Sequence, residues 1–326
     1  MNSTGPFVAV LLLAPMVLSR TCSDLAPGTT TQDSAKGDPN GVAEFRSISG
    51  KVRVVVESTS SAGHGDVLYR VHREGMEPRE VRSPARLEGV AVLETGEFAG
   101  FGYGVDESVP PQRYRVLAIF GVQGECVLDQ RTPQTHPPDT GWGPKAFAVE
   151  ASDACRAVAF AIYDPEGVSR RRLLLYSLPK AERILDCQLV PPGVDPVSPR
   201  FSATRKGLIV NMHWIGNRPL LLLTWDQALP PRPVGSTSGD GDAFTIIDSH
   251  GRMVWMASLS PIPGAAVAPK PTDGIVLADF DCGEAILERG ADSFALRLQP
   301  RDKTRKRLDY SFDVREAGGG FIVERR

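Results

Sequence analysis

The chain has 326 residues, with 37 Lys and Arg against 39 Asp and Glu and a net charge of −2. So even a balance excludes the strongly basic surface that draws in phosphate backbones, and no nucleic-acid partner is expected. Gly at 32 and Pro at 27 favour many turns, and no stretch carries the apolar spacing of an amphipathic helix over three turns.

From the N-terminus, Phe7 to Leu18 (FVAVLLLAPMVL) is an apolar run too short to span a bilayer but of the length of a signal-peptide hydrophobic region. Pro15 breaks a helix late in this run, and no Lys or Arg precedes it. The following LSRTC, ending at Cys22, resembles a bacterial lipobox, with Ser19 where Leu is usual and Thr21 large for the residue before the cut. The resemblance implies lipidation of Cys22 and a place in the cell envelope. The alternative is a soluble secreted protein, with Val17 and Ser19 flanking an ordinary cleavage site. Ser23 to Gly41 is rich in Ser, Thr, Gly, Pro and Asp and holds almost no large apolar residue, so it cannot bury enough surface to offset chain entropy. The expected division is a signal peptide over 1–21, a flexible tether over 22–43 and one globular domain over 44–326.

With Cys22 lipidated or removed, Cys126, Cys155, Cys187 and Cys282 remain, the even number that an oxidising compartment favours; three disulfide pairings are open, and four separate thiols are the alternative. No pair has C-x-x-C spacing, so no metal cluster is expected.

From Glu44 onward short apolar runs alternate with Gly, Pro and Asp: VRVVV at Val52, VLYRV at Val67, YRVLAIFGV at Tyr114, AVAFAIY at Ala157 and LLLY at Leu173. LIVNMHW at Leu208, LLLLTW at Leu220, FTII at Phe244 and MVWMASL at Met253 follow, and shorter runs near Ile275, Phe294 and Phe321 close the series. A larger unit recurs: a turn, an apolar strand, a variable loop, a second apolar strand and a short charged strand. The second strands begin near Val67, Tyr114, Arg171, Pro219 and Ser293, about fifty residues apart except for the final gap. That gap holds the FTIIDSHGRMVWMASL hairpin, which predicts a further, irregular unit and a total of about six. Four short strands per unit at this period predict a single all-β propeller. Runs such as LLLY and LLLLTW, apolar on both faces, fit sheets sandwiched between neighbours. Tandem β-sandwiches are the alternative fold.

Pro199-Arg-Phe-Ser-Ala-Thr-Arg-Lys-Gly-Leu-Ile-Val resembles the blade start of TolB-like periplasmic propellers, and Phe45-Arg-Ser-Ile-Ser-Gly-Lys-Val-Arg-Val is a fainter copy. Arg205-Lys206-Gly207 and Ser49-Gly50 stand where that family has Asp-Gly. The resemblance implies a propeller fold, an exported location and a scaffold for protein or glycan contacts, and carries over no catalytic residue.

Gly235-Ser-Thr-Ser-Gly239 has Thr where a G-x-S-x-G elbow needs its nucleophile, and there is neither a P-loop nor a dinucleotide fingerprint, so no cofactor is expected. His64, His72, His136, His213 and His250 form no metal-ligand spacing; His213, inside an apolar strand, reads as structural and His250 as an exposed turn residue. Carboxylates are the best site candidates. Glu94 with Glu97, Glu150 with Asp153 and Asp279 with Asp281 each precede a strand, where a propeller would ring them around one channel mouth and let them share a cation or flank a glycosidic bond. Their ordinary role is turn formation and solvation. Asp240-Gly-Asp242 lacks the frame of a calcium loop. The basic runs Arg170–Arg172 and Arg301–Arg307 read as solvated strand edges. Trp142, in a loop of prolines and glycines, is a candidate for stacking on a sugar or anchoring a partner. The expectation is a non-catalytic binding propeller for a protein or glycan of the cell envelope, membrane-held by its N-terminal lipid. A carbohydrate hydrolase or lyase using the turn carboxylates is the alternative.

Overall fold

The computed structural model describes residues 43–57, 67–105, 112–133, 146–163, 171–189, 208–226, 243–258, 275–276, 282–290, 292–300, 304 and 306–326. Among them there is no helix. Five sheets follow one another along the chain. The first holds β1 (Glu44–Arg46), β2 (Val52–Glu57), β3 (Val67–Arg73) and β4 (Arg79–Ser83); the second holds β5 (Arg86–Val92), β6 (Phe98–Val105), β7 (Arg113–Phe120) and β8 (Cys126–Pro133). The third holds β9 (Ala146–Ser152), β10 (Ala157–Tyr163), β11 (Arg171–Ser177) and β12 (Glu182–Leu189). The fourth holds β13 (Leu208–Trp214), β14 (Leu220–Asp226), β15 (Ala243–Asp248) and β16 (Met253–Ser258), with the short β17 (Ile275–Val276) added in parallel. The fifth holds β18 (Cys282–Arg289), β19 (Ser293–Pro300), β20 (Leu308–Ala317) and β21 (Gly320–Arg325).

The four main strands of each sheet form an antiparallel meander, and in the first four sheets the first strand lies toward the first strand of its neighbour: β1 packs on β5, β5 on β9 and β9 on β13, while the fifth sheet meets the fourth through β21 and β16. Sheets stacked face to face with their leading strands converging form a β-propeller. Four hydrophobic clusters fill the four spaces between consecutive sheets. Val52, Val54, Tyr69 and Val71 meet Val90, Phe98, Val116 and Phe120 in the first. Ala99, Leu117 and Ile119 meet Val158, Phe160 and Leu174 in the second. Ala159, Leu173 and Leu175 meet Trp214, Leu221 and Trp225 in the third. Leu222, Phe244 and Trp255 meet Phe294, Leu296 and Phe312 in the fourth. Burying one such Phe or Leu side chain stabilises the fold by about 1.5–3 kcal/mol.

A meander places the turn after its first strand and the turn after its third strand at the same end. Four of these turns share one geometry: the N–H groups of Gly50, Gly96, Gly124 and Gly251 donate to the carbonyls of Ser47, Leu93, Gly121 and Asp248, respectively. Positive φ at the donating glycine closes each of them, a backbone state that costs glycine nothing. The β3–β4 and β13–β14 turns place their positive-φ glycine earlier, at Gly75 and Gly216. The third sheet departs from this: Arg156 (φ 48°) and Ala181 (φ 53°) take up left-handed backbone without glycine.

The structure corrects three expectations. About six units were expected from the spacing, and five sheets are present among the described residues. The hairpin expected to be an extra unit supplies β15 and β16, with Leu222 of β14 opposite Ile246. β14 and β15 pair directly although β14 ends at Asp226 and β15 begins at Ala243, which lengthens the sequence spacing inside one meander. Second, the apolar run that opens each repeat is the second strand in the first three sheets (β2, β6, β10) but the first in the last two (β13, β18). The leading strands β1 and β5, EFR and RLEGVAV, carry too many polar residues to register as hydrophobic runs. Third, cysteine parity predicts disulfides, but Cys126, Cys155 and Cys187 are free thiols, and the side chain of Cys282 lies outside the described residues. Cys126 stands opposite Phe120 and Cys187 opposite Leu173, while Cys155 sits in the β9–β10 turn, so no two of them share a ladder position.

Candidate functional site: the turn face

Side chains link the first-to-second-strand turns of successive sheets into a continuous chain. Glu94, in the β5–β6 turn, accepts from the Ser49 N–H at 2.7 Å, the Ser49 hydroxyl at 2.5 Å and the Ser47 hydroxyl at 3.0 Å, all in the β1–β2 turn. The Glu94 N–H donates to both carboxylate oxygens of Asp153 in the β9–β10 turn, each at 3.1 Å. Cys155, in that same turn, lies with its Sγ 3.8 Å from the Asn217 carbonyl of the β13–β14 turn. Arg218 continues the chain to Asp292 between β18 and β19, Nη2 to Oδ1 at 2.8 Å. Most of these contacts end on a carboxylate at a solvent-exposed rim, where screening holds each to about 1 kcal/mol or less, so the chain's main effect is to set the relative height and tilt of the turns.

Beneath the rim lies an ion pair with one buried partner. Glu97 has no exposed surface, and Arg156 holds it with two bonds, at 2.6 and 2.8 Å. The Thr95 hydroxyl adds a third contact to Glu97 at 2.7 Å. This accounts for the left-handed Arg156, whose backbone costs about 1 kcal/mol more than glycine would at that position: only a side chain there reaches across to satisfy Glu97. Burial pushes the Asp153 carboxyl above the ordinary range; the Glu94 N–H opposes that shift, and the negative charges of Glu94 and Glu97 reinforce it against Arg156.

The predicted carboxylates therefore divide. Glu94 and Asp153 line a cavity of about 640 Å³ on the turn face, together with Ile48, Lys51, Arg73 and Asn217, so four sheets contribute to it. Glu97 is sealed below it. Glu150 lies apart, on β9, where its Oε1 meets Nδ1 of the buried His213 on β13 at 2.9 Å and ties the two leading strands together. Asp279, Asp281, Trp142 and Cys22 lie outside the described residues, as do His64, His136, Asp240, Asp242 and the 235–239 string. Among the described residues no three His, Cys, Asp or Glu side chains converge as a ligand set.

The basic run at Arg171 is another departure from expectation. Arg171 is 1 % exposed, while Arg172 pairs with Asp186 across the β11–β12 ladder. A strand with neighbours on both faces leaves its alternate residue nowhere to solvate. His250 is exposed, and its N–H donates to Asp248 at 2.9 Å. Sequence reasoning missed Arg156 and the two serines that hold Glu94. The signal for Arg156 was available: Asp-Ala-Cys-Arg stands where two other leading turns read Ser-Gly and Thr-Gly.

Apolar side chains crown the same end. Ile48 and Met76, in the two turns of the first sheet, are 68 % and 61 % exposed; Val122 in the β7–β8 turn and Met253 at the start of β16 are exposed as well. A second cavity, about 440 Å³, adjoins the first along the first sheet and shares Ser49, Lys51, Arg73 and Glu74 with it.

No family model matches the chain, and no curated protein matches it. Among solved structures it is similar to the β-propeller domain of the Trilobed protease from Pyrococcus furiosus, at 8 % identity and a TM-score of 0.42, covering 81 % of this chain and 66 % of that one, just under two thirds. It is also similar to the β-propeller domain of Cps50 (Swd1) from Myceliophteria thermophila, at 11 % identity and a TM-score of 0.33, covering 83 % of this chain and 69 % of that one.

Proposed function

We propose that this chain is an exported, lipid-anchored protein of the cell envelope whose propeller is a non-catalytic module that binds a protein partner on its turn face. The observation that carries the binding reading is that Ile48, Met76, Val122 and Met253, four of the six exposed large hydrophobics among the described residues, stand around the turns at one end, the other two, Ile184 and Ile322, lying on the edge strands β12 and β21. Exposed apolar residues grouped beside a polar cavity mark interaction surfaces, whereas single scattered ones do not. These anchors are aliphatic, which suits a polypeptide better than a sugar, whose flat faces seek aromatic rings. The export and anchoring half rests on the apolar Phe7–Leu18 run, the lipobox-like LSRTC, the low-complexity tether and the TolB-like segment at Pro199.

A carbohydrate hydrolase or lyase would need turn carboxylates free to exchange protons with substrate. Glu97 is sealed by Arg156, and Glu94 accepts three hydrogen bonds from the serine turn. These carboxylates build the rim, which favours the binding reading over the catalytic one.

Two experiments test the proposal. A photo-crosslinking amino acid at Ile48 or Met76 is expected to trap one discrete protein adduct in intact cells, while the same probe at Glu57, the opposite end of β2, traps none; equal labelling at both ends overturns the binding face. For the anchor, the intact mass of the mature protein is expected to show a diacylglyceryl group on an N-terminal Cys22. An unmodified chain starting at Arg20 would falsify acylation.

A further inference from the structure

The outward face of the first sheet carries an arrangement of charge that its own folding disfavours. Arg46 of β1 stands directly opposite Arg53 of β2, and Arg53 stands directly opposite His72 of β3, so three basic side chains form one cross-strand row. Like charges directly opposite one another destabilise a sheet. Protection of a bare sheet edge does not account for the row, because Arg53 lies on a strand paired on both sides. Lys51 in the adjoining turn and Arg73 at the end of β3 extend it, and all five residues line the 440 Å³ cavity. Around the cavity the charges do not balance. Four permanent cations, Arg46, Lys51, Arg53 and Arg73, face two carboxylates: Glu44, at 2.5 Å from Arg46 and 3.9 Å from Arg53, and Glu74. No ion pair reaches Lys51 among the described residues, and Arg73 bonds only the Thr95 carbonyl, at 3.4 Å.

We propose that this cavity is the site for an acidic segment of the partner polypeptide, with carboxylates spaced along an extended strand. Three features select that occupant. The row crosses three strands at about 4.8 Å per strand, which is too wide for a single carboxylate or phosphate and suits a chain bearing several. The cavity also takes in Met76, 61 % exposed, with Ile48 at its neighbour's rim, so the occupant carries apolar side chains beside its acids, which a polysaccharide does not. Finally, Arg46, Arg53 and Arg73 stand on paired strands, so their backbone is positioned before any ligand arrives and little backbone ordering is lost on binding. The inference rests on the turn face as a protein-binding surface and names the chemistry of its partner.

The test uses the mature protein with three probes: a peptide alternating Glu and Leu, its counterpart in which every Leu is kept and every Glu is Gln, and polygalacturonate. The Glu peptide is expected to bind, with affinity falling as salt rises, and the Gln peptide to bind at least about tenfold more weakly. Arg53→Ser is expected to weaken the Glu peptide about tenfold while leaving the melting temperature unchanged or higher, because it removes the repulsion within the row. Lys51→Ser, in the turn, gives the same loss of affinity should Arg53→Ser fold poorly. Equal affinity for both peptides, no binding of the Glu peptide at low salt, or binding of polygalacturonate alone overturns the proposal. Crosslinking at Ile48 that persists while the Glu dependence is absent overturns only the acidic chemistry and leaves the binding face standing.

Discussion

Sheets two to four and sheets one and five share the same meander but live in different surroundings. The three inner sheets bury both faces: Ala159, Leu173 and Leu175 of the third face the fourth, while Val158, Phe160 and Leu174 face the second. The outer two each contribute to a single cluster, and their other faces carry charge. In the first sheet Val52, Val54 and Val56 point inward while Arg53 stays about half exposed; in the fifth, Phe294, Leu296 and Leu298 point inward while Arg297 pairs with Glu288 at 2.6 Å on the open side. Arg315 with Glu324, and Arg326 with Asp313, continue that polar side. No hydrophobic cluster joins the fifth sheet to the first among the described residues. The inner sheets therefore supply most of the apolar burial, while each outer sheet keeps one polar face among the described residues.

The largest effect that can break this contrast comes from placing one charge at matched positions. Ala159→Lys, on an inner sheet at 0 % exposure, is expected to cost more than about 4 kcal/mol and prevent folding, whereas Ala295→Lys, on the open side of β19, should shift stability by no more than about 0.5 kcal/mol. Circular-dichroism melts of both variants decide it; similar losses would mean that the fifth sheet is covered. Next, Phe160→Ala is expected to cost about 3–5 kcal/mol, since it empties the space between sheets two and three and removes the edge contact with Tyr176. Arg156→Gly relaxes the backbone but strands Glu97 without its partner, and the net loss in a denaturant titration is expected to be about 2 kcal/mol. A gain in stability would instead mean that the strained backbone outweighs the pair.

A smaller effect sharpens the comparison at the rim. The folded Asp153 carboxyl titrates above its unfolded value, so it favours the folded state fully at pH below the unfolded value and loses that contribution as pH rises through the folded one. Relative to Asp153→Asn, the unaltered protein should lose melting temperature from about pH 4 upward and level off once the carboxyl is ionised. Parallel curves would remove Asp153 from the buried rim. Hydrogen exchange gives the finest test: amides of β10, β11 and β14 should exchange last, and those of β1, β4 and β21 first.

Much of this was legible in the sequence. The run LLLLTW announces a strand wanted on both faces because it offers no polar alternate, and Leu221 and Leu222 do enter different clusters. VRVVVE announces the opposite, by alternating. Glu94 and Asp153 were grouped only by standing before strands; the structure sets them in the β5–β6 and β9–β10 turns, where the Glu94 N–H donates to Asp153. Glu150 was grouped with Asp153 by nearness in sequence, yet it sits on a strand and reaches His213, 63 positions away. No local pattern marks such a pair, because the contact exists only once two leading strands converge.

What the sequence determined by itself was local: strand length, the turns closed by glycine at positive φ, and the faces that had to be buried, since backbone geometry and solvation act on neighbouring residues. The tertiary structure decided the count of sheets, the fate of each carboxylate and the partners of Arg156. Those depend on which sheets come to lie side by side, and electrostatic and packing energies fall off within a few ångströms of contacts the linear order does not display.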